Sequence, residues 1–555
     1  MNARAGERGQ TVVLAYMAIL TMTVLGGTLL THGFTAQRDS ELQRVQAEAF
    51  YLAEGGVEDA ASRFSQDIAN YQLSATTACY PVANPCGSQL LVTTFTSGAT
   101  ANSFIEEVEA NQRTVPDPDG TNVFVKNYQV NTTVTRNGLT TTLHQIIARR
   151  VVYTFQHAVF YDMDLEWLPG PDMTLTGRVH SNSDMYLGTH SILTVDDDYV
   201  RAAGNIYNRR KDSNENMEGI VQIKQFGTNP SQFAAMAGLD SSSASWKDDS
   251  QSRWLGTVQS SVHGVTKRAV PVVGSVAPGG FYDLNANVEI VNDSITKGGV
   301  PLVEGSTMAP GTLSKTTTLY NNREGKTVKM TEINLRRLAG YYDCNGDGVE
   351  EPCYPNNLPA NGLLYATRNN AGSGQEPGIR LLNGSRIDRA AGVTIVSDVP
   401  VYIQGDLNTV NKKPVSVIAD AVNLLSNNWN DANSTKGLSS RVASDPNNPG
   451  SSTALTVDCA FISGVNSTTP GSYNGGLENY PRLHENWTNK TLRITGSFVA
   501  LWSSQVATGK WVYGGSQYTA PNRSWNYDTS FSDGSNLPPF TPWAIEVRKG
   551  AWWQD

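Results

Sequence analysis

Residues 11–30, TVVLAYMAILTMTVLGGTLL, are predominantly apolar, and no charged side chain falls between Arg8 and Arg38. Twenty residues at about 1.5 Å each make a helix of about 30 Å, the thickness of one hydrocarbon core. A cleaved secretory signal is the alternative, because Arg4 and Arg8 precede the run as a positively charged n-region would. Such signals carry an apolar stretch of only about 7–15 residues, closed by a small-residue cleavage site. Here the run is longer, and Thr31-His32-Gly33-Phe34 leads into more helix-forming sequence. The segment reads as a retained membrane helix. Arg4, Arg8 and the terminal amine outweigh Glu7, which keeps the short N-terminus cytoplasmic and places the remainder beyond the membrane.

The helical pattern continues. Val45, Ala49, Ala53, Val57, Ala60, Phe64 and Ile68 recur at steps of three and four, which forms one apolar stripe between Ser40 and Ile68. Glu41, Arg44, Glu48, Glu58 and Asp59 are left to face water. Gly55-Gly56 is the weak point, since each glycine in a helix interior costs about 1 kcal/mol. The stripe predicts that one end docks on a domain of the same chain while the other packs against neighbours. The expected organisation is a leader over 1–9, a transmembrane helix over 10–31, an amphipathic extension over 32–72, a loop-rich insert over 73–118 and a β-rich ectodomain over 119–555.

Arg8-Gly9, the apolar helix and Ala49-Phe50-Tyr51-Leu52-Ala53-Glu54-Gly55-Gly56-Val57-Glu58 together resemble the N-terminus of PilX-type minor pilins, which is similar to that of K-type pseudopilins of type II secretion. The resemblance covers residues 4–65. It implies cleavage by a prepilin peptidase after Gly9, leaving Gln10 first and Leu14 fifth, where major pilins carry a glutamate. It also implies partners: other pilins or pseudopilins and an inner-membrane assembly platform, with residues 11–30 as the membrane contact. Four stretches of the distal sequence (177–182, 398–406, 420–429 and 478–485) resemble large uncharacterised ectodomains found behind such N-termini. That second resemblance brings no activity with it.

Net charge is −9, and the basic residues form no long run, which argues against a nucleic-acid groove. Charged residues make up only 17% of the chain, a balance that suits an exported, turn-rich β protein. The five cysteines agree with export. Cys79 and Cys86, and Cys344 and Cys353, are close pairs flanked by Pro and Gly; they read as two short-loop disulfides. Zinc is the rival, but the spacings do not match and no His is near. Cys459 reads as a buried thiol.

Within the body, Tyr128–Thr135 and Leu139–Ile147 flank Arg136-Asn137-Gly138, a hairpin signal, and Val151–Phe160 continues as strand. A short phrase, x-Gly-x-apolar, recurs around Gly177, Gly204, Gly274, Gly405 and Gly496, mostly after an alternating strand. Stacked short strands broken by Gly and Asn predict a parallel β-solenoid-like ectodomain, with a β-sandwich as the alternative. Polar inserts at 207–265 and 427–480 interrupt the pattern.

Asp343-Cys344-Asn345-Gly346-Asp347-Gly348 places oxygen side chains at positions one, three and five of a turn, as calcium loops do. Position twelve is Tyr354, so Glu350 or Glu351 would have to complete a Ca2+ site with Asp343, Asn345 and Asp347. An acidic β-turn is the competing reading. Asp196-Asp197-Asp198 reads as a solvated turn, and Ser294-Ile295-Thr296-Lys297 matches S-x-x-K without companion motifs. His180 and His190 are a conceivable metal pair, with ordinary hydrogen bonding the plainer reading. Catalytic signatures of hydrolases and phosphate loops are absent from the sequence, and paired carboxylates cannot be recognised without geometry. Aromatics gather between Trp502 and Trp553, where an exposed subset would suit a surface ligand. The expected role is a non-enzymatic minor pilin-like subunit in assembly, tip capping or adhesion; the alternative is a membrane-tethered polysaccharide hydrolase.

Overall fold

The computed structural model describes residues 6–117, 121–512 and 517–555, with the backbone alone at 6–8. One uninterrupted helix, α1, spans Gly6–Ala69. Its first part stands clear of the protein: Leu14, Met17, Leu20, Leu25 and Leu29 are all at least 60% exposed. Burial begins at Val45, and every member of the predicted stripe from Val45 to Ile68 is at most 5% exposed.

The stripe packs on a seven-stranded antiparallel sheet whose long path runs Cys79–Tyr80, Thr100–Glu107, Asn122–Arg136, Leu139–Tyr153 and Trp543–Gln554. Phe64 is the anchor. It lies 4.9 Å from the Tyr128 ring and 5.4 Å from Tyr80, in a core with Ile105, Val130, Ile147 and Ile545. The weak Gly55-Gly56 point is a close approach: a Cβ on Gly56 would lie 2.7 Å from Ala101 Cβ and Thr132 Cγ2, and one on Gly55 would meet the Phe95 ring at 2.9 Å. Glycine there lets the helix sit down on the sheet, and the packing offsets its poor intrinsic propensity.

The hairpin turns at Asn137 and Gly138, both with positive φ (49° and 81°), as a type I′ turn requires. Residues 73–118, expected as a loop-rich insert, contribute strands at 79–80, 91–94, 100–107 and 113–116 to this sheet. Short, Ser/Thr-rich strands hid their alternation. The strand expected over Val151–Phe160 is also broken, by a 3-10 turn at Thr154–Gln156 whose backbone is tied to Pro542.

Everything between Tyr153 and Trp543 is inserted between two adjacent strands of the helix-bearing sheet. This body has one large apolar core. Its widest sheet has twelve strands. Reading across it, the chain order runs Val288–Val291, Leu363–Thr367, Val393–Val396, Val415–Ala419, Ala460–Ser463 and Phe498–Ala500. It then restarts at Val159–Tyr161, Val179–Ser181, Val200–Ala202 and Val258–Gln259. All these neighbours pair in parallel, and Val159, Val179 and Val200 stand in register at 20- and 21-residue intervals. The spatial order is thus a cyclic shift of the chain order, joined where Phe498 meets Val159. Further parallel ladders join Met173, Leu193 and Ile220-region strands, and the 375–382, 401–404 and 422–425 strands.

Antiparallel strands at 233–235, 294–297, 300–301 and 313–316 cap several edges, so several sheets are mixed, and none closes on itself among the described residues. The overall architecture is a long apolar helix followed by a large mainly-β domain of many sheets. Of the five recurring glycines, Gly177, Gly204, Gly405 and Gly496 fall at or just beyond strand ends. A Cβ at Gly496 would lie 1.9 Å from the Cys459 carbonyl. Gly274 instead sits in a 3-10 turn.

Candidate functional site

The exposed part of α1 has the chemistry of a helix that works out of water. Five of its threonine hydroxyls close on their own backbone. The hydroxyls of Thr21, Thr23, Thr31 and Thr35 donate to the carbonyls four residues earlier at 2.7–2.9 Å, and Thr28 bonds Leu25 O at 2.9 Å. A hydroxyl satisfied within its own helix adds little cost in lipid. Gly9 and Gln10 lie in regular helix, and nothing stands within 4 Å of where a Cβ would be on Gly9, Gly26 or Gly27. The helix is long and apolar enough to cross a membrane once.

The structure joins Cys79 to Cys86 and Cys344 to Cys353, and Cys459 is a buried free thiol. In the 343–351 loop, carboxylate oxygens of Asp343, Asp347 and Glu351 come within 4.8 Å of one another. The loop is held by its own side chains. Asp343 accepts from Gly346 N (2.7 Å) and Gly348 N (2.9 Å), and Asn345 Oδ1 accepts from Asp347 N. Glu350 turns away toward Arg337, at 3.6 Å. Three of the five candidate calcium ligands therefore converge.

The histidine pairing is different from the one expected. His190 is exposed, while His180 is fully buried between Tyr199 OH and Asn182 Oδ1, each at 3.1 Å. The imidazole near His180 is His157, with ring centroids 5.9 Å apart. Burial, together with Arg178 and Arg268, pushes both pKa values well below the ordinary histidine range. Nothing in the sequence signals this cluster, because the strand register of the parallel stack creates it. The Asp196–Asp198 turn is tied to Ser231, Tyr199 N and Lys224, and Ser294–Lys297 is a hairpin strand.

Glu166, Glu376 and Glu485 are buried, and burial raises each pKa to about 7. Glu485 accepts from Ser426 N and Oγ, and Glu376 from Tyr402 and Asn321. Glu166 borders a void of only about 20 Å³, too small for a sugar. Of the late aromatics, Trp502, Trp525 and Phe531 are core, and Tyr513 lies outside the described residues. Trp552 (56%) and Trp553 (40%) are exposed on the last strand, beside Phe50 and His144.

No family model matches the sequence, and no curated protein matches it. Among solved structures, the competence-associated pilin ComZ from Thermus thermophilus is matched over 92% of this chain and 97% of that chain, at 8% identity. The TM-score is 0.25, too low to carry any statement about fold or role.

Proposed function

We propose that this chain is a minor pilin-like subunit of a type IV pilus or a related secretion filament. Residues 11–30 anchor it in the inner membrane, and the β body faces the periplasm or, after assembly, the exterior. The observation that carries this reading is the division of α1: one continuous helix is buried in its own sheet from Val45 onward and bare before it. A 36-residue bare stretch extends roughly 54 Å from the fold, more than a bilayer core requires. That length serves a membrane and then a bundle of like helices.

Other pilins or pseudopilins and the assembly platform are the partners in this reading. Lipid and filament core are equally dry, so association depends on packing rather than on removal of apolar surface from water. The open backbone at Gly26-Gly27 suits such packing. Leu14, in place of a glutamate, suits low-copy incorporation at a tip after processing behind Gly9. The body then caps the filament or adheres, without hydrolytic function. Its parallel ladders support a solenoid-like reading, and the 343–351 loop is proposed to take Ca2+ through Asp343, Asp347 and Glu351.

The test is the double variant Gly26→Leu/Gly27→Leu in cells, followed by copurification with partner pilins. Loss of partners with the protein still in the membrane is expected. Undiminished recovery would remove this helix face from assembly.

A further inference from the structure

A cavity of about 360 Å³ lies where the parallel body meets the C-terminal strand, and its charge is one-sided. Parallel register builds one wall. Phe160, His180, Arg201 and Gln259 are successive partners across four strands, so they form a row on one face of the sheet. The segment after Val258–Gln259 supplies His263 and Arg268, and the C-terminal strand supplies Glu546, Arg548 and Lys549. Among the described residues that line the cavity, four cations thus face one carboxylate.

The partners already made leave cationic capacity over. Arg548 Nε bonds Glu546 at 2.6 Å, and Lys549 pairs with Glu58 on the helix. Arg268 is 5% exposed; it donates to Tyr199 OH at 2.8 Å and sits 3.0 Å from His157 Nε2, neither of them a carboxylate, with Glu546 at 3.6 Å. The Arg201 side chain makes no hydrogen bond or ion pair among the described residues. Its guanidinium rests 4.2 Å from the Tyr199 ring centroid; Arg178, which pairs with Asp117 at 3.4 Å, rests 4.1 Å from the same ring; and Arg201 Nε is buried without a partner. With Arg178 answered by Asp117, holding Arg201 and Arg268 around the same ring is unfavourable unless a further anion joins them. The field is strong: burial alone would raise the Glu546 pKa, yet Arg268, Arg548 and Arg150 hold it down to about 2.

We propose that this cavity is a binding site for a small oxyanion, the phosphate or carboxylate of a sugar-sized ligand, held by the forked donors of Arg201 and Arg268. The volume falls in the range of small-ligand sites, and guanidinium forks match carboxylate and phosphate geometry. The site lies between the helix-bearing sheet and the body, so it does not depend on the filament reading.

Calorimetric titration of the full-length protein in detergent, at physiological ionic strength, tests it with two probes: inorganic phosphate and glucuronate. Saturable binding of at least one is expected, and the tighter probe distinguishes a phosphate source from an acidic sugar. Arg201→Gln should weaken that binding about tenfold or more, the loss of one charge-assisted contact. If Arg201→Gln fails to fold by circular dichroism, Arg548→Gln, whose side chain is half exposed, decides with the same expected direction. Absence of saturable binding by either probe to the unmodified protein, or affinity unchanged in the folded variants, would overturn the proposal.

Discussion

The two parts of α1 share one backbone, yet they meet opposite surroundings. From Val45 to Ile68 the apolar residues are a stripe, and the sheet of the same chain covers it. From Val12 to Phe34 they surround the whole helix, and among the described residues none buries them. An amphipathic stripe is completed by one surface, whereas an all-round apolar helix needs an apolar medium or a ring of partners. The difference teaches that the fold ends near Val45 in the thermodynamic sense, although the helix does not. Substitutions beyond that point should alter stability; substitutions before it should alter location and partners.

The sharpest contrast comes from truncating one side chain on each side. Phe64→Ala opens a void in the helix–sheet core and should destabilise the domain by about 3–5 kcal/mol in chemical denaturation. Leu20→Ala should leave the same curve unchanged, and a comparable loss there would erase the distinction. Next in size is the Cys79–Cys86 bridge, which closes a short loop at the edge of the helix-bearing sheet. Replacing both cysteines with serine should remove about 2–3 kcal/mol. Gly56→Ala introduces a methyl 2.7 Å from two rigid sheet atoms and should cost about 1–3 kcal/mol. Gly27→Ala, with open space around it, should have no effect on the melt.

The body has its own signature in pH. Glu166, Glu376 and Glu485 keep their protons when folded up to about pH 7, while the unfolded chain releases them near the ordinary glutamate value. Their full stability is present below that ordinary value and is lost as pH rises toward 7. The melting temperature should therefore fall between pH 5 and pH 7, and Glu485→Gln should flatten the slope. Glu546 acts with the opposite sign: its depressed pKa gives stability that is lost only as pH drops from about 4.5 toward 2. The smallest expected effect belongs to the 343–351 loop. Calcium at about five times its Kd would stabilise by only ~1 kcal/mol. A melt unmoved at millimolar calcium would reduce the loop to a self-bonded acidic turn.

Local sequence carried the parts of the molecule built from local periodicity. The stripe from Val45 to Ile68 named the buried face residue by residue, and Asn137-Gly138 named its turn. Short cysteine spacings named both bridges. What sequence could not reveal is long-range register. Residues 73–118 looked like loop because three of their four strands have only two or four residues, and the fourth, Thr100–Glu107, alternates with small and polar Ala101, Asn102 and Ser103. The C-terminal strand gave no sign that it returns to Leu139–Tyr153, nearly four hundred residues earlier. The cavity around Arg201 and Arg268 was illegible for the same reason: it depends on which strand stacks beside which, and on a cyclic shift that sets Phe498 against Val159. Gly55-Gly56 read as a weakness because only the partner surface explains a missing Cβ.

The account rests on α1 passing from an apolar medium into its own fold at Val45, and labelling in cells measures this directly. The native thiols are two bridges and one buried cysteine, so an introduced cysteine is the sole ready target. Leu20→Cys and Glu58→Cys, each in full-length protein, would be exposed to a membrane-impermeant maleimide before and after detergent lysis. The predicted result is Glu58→Cys labelled once the outer envelope is permeabilised, with Leu20→Cys protected until detergent is added. Equal labelling of Leu20→Cys in intact membranes would place that helix in water and contradict the account.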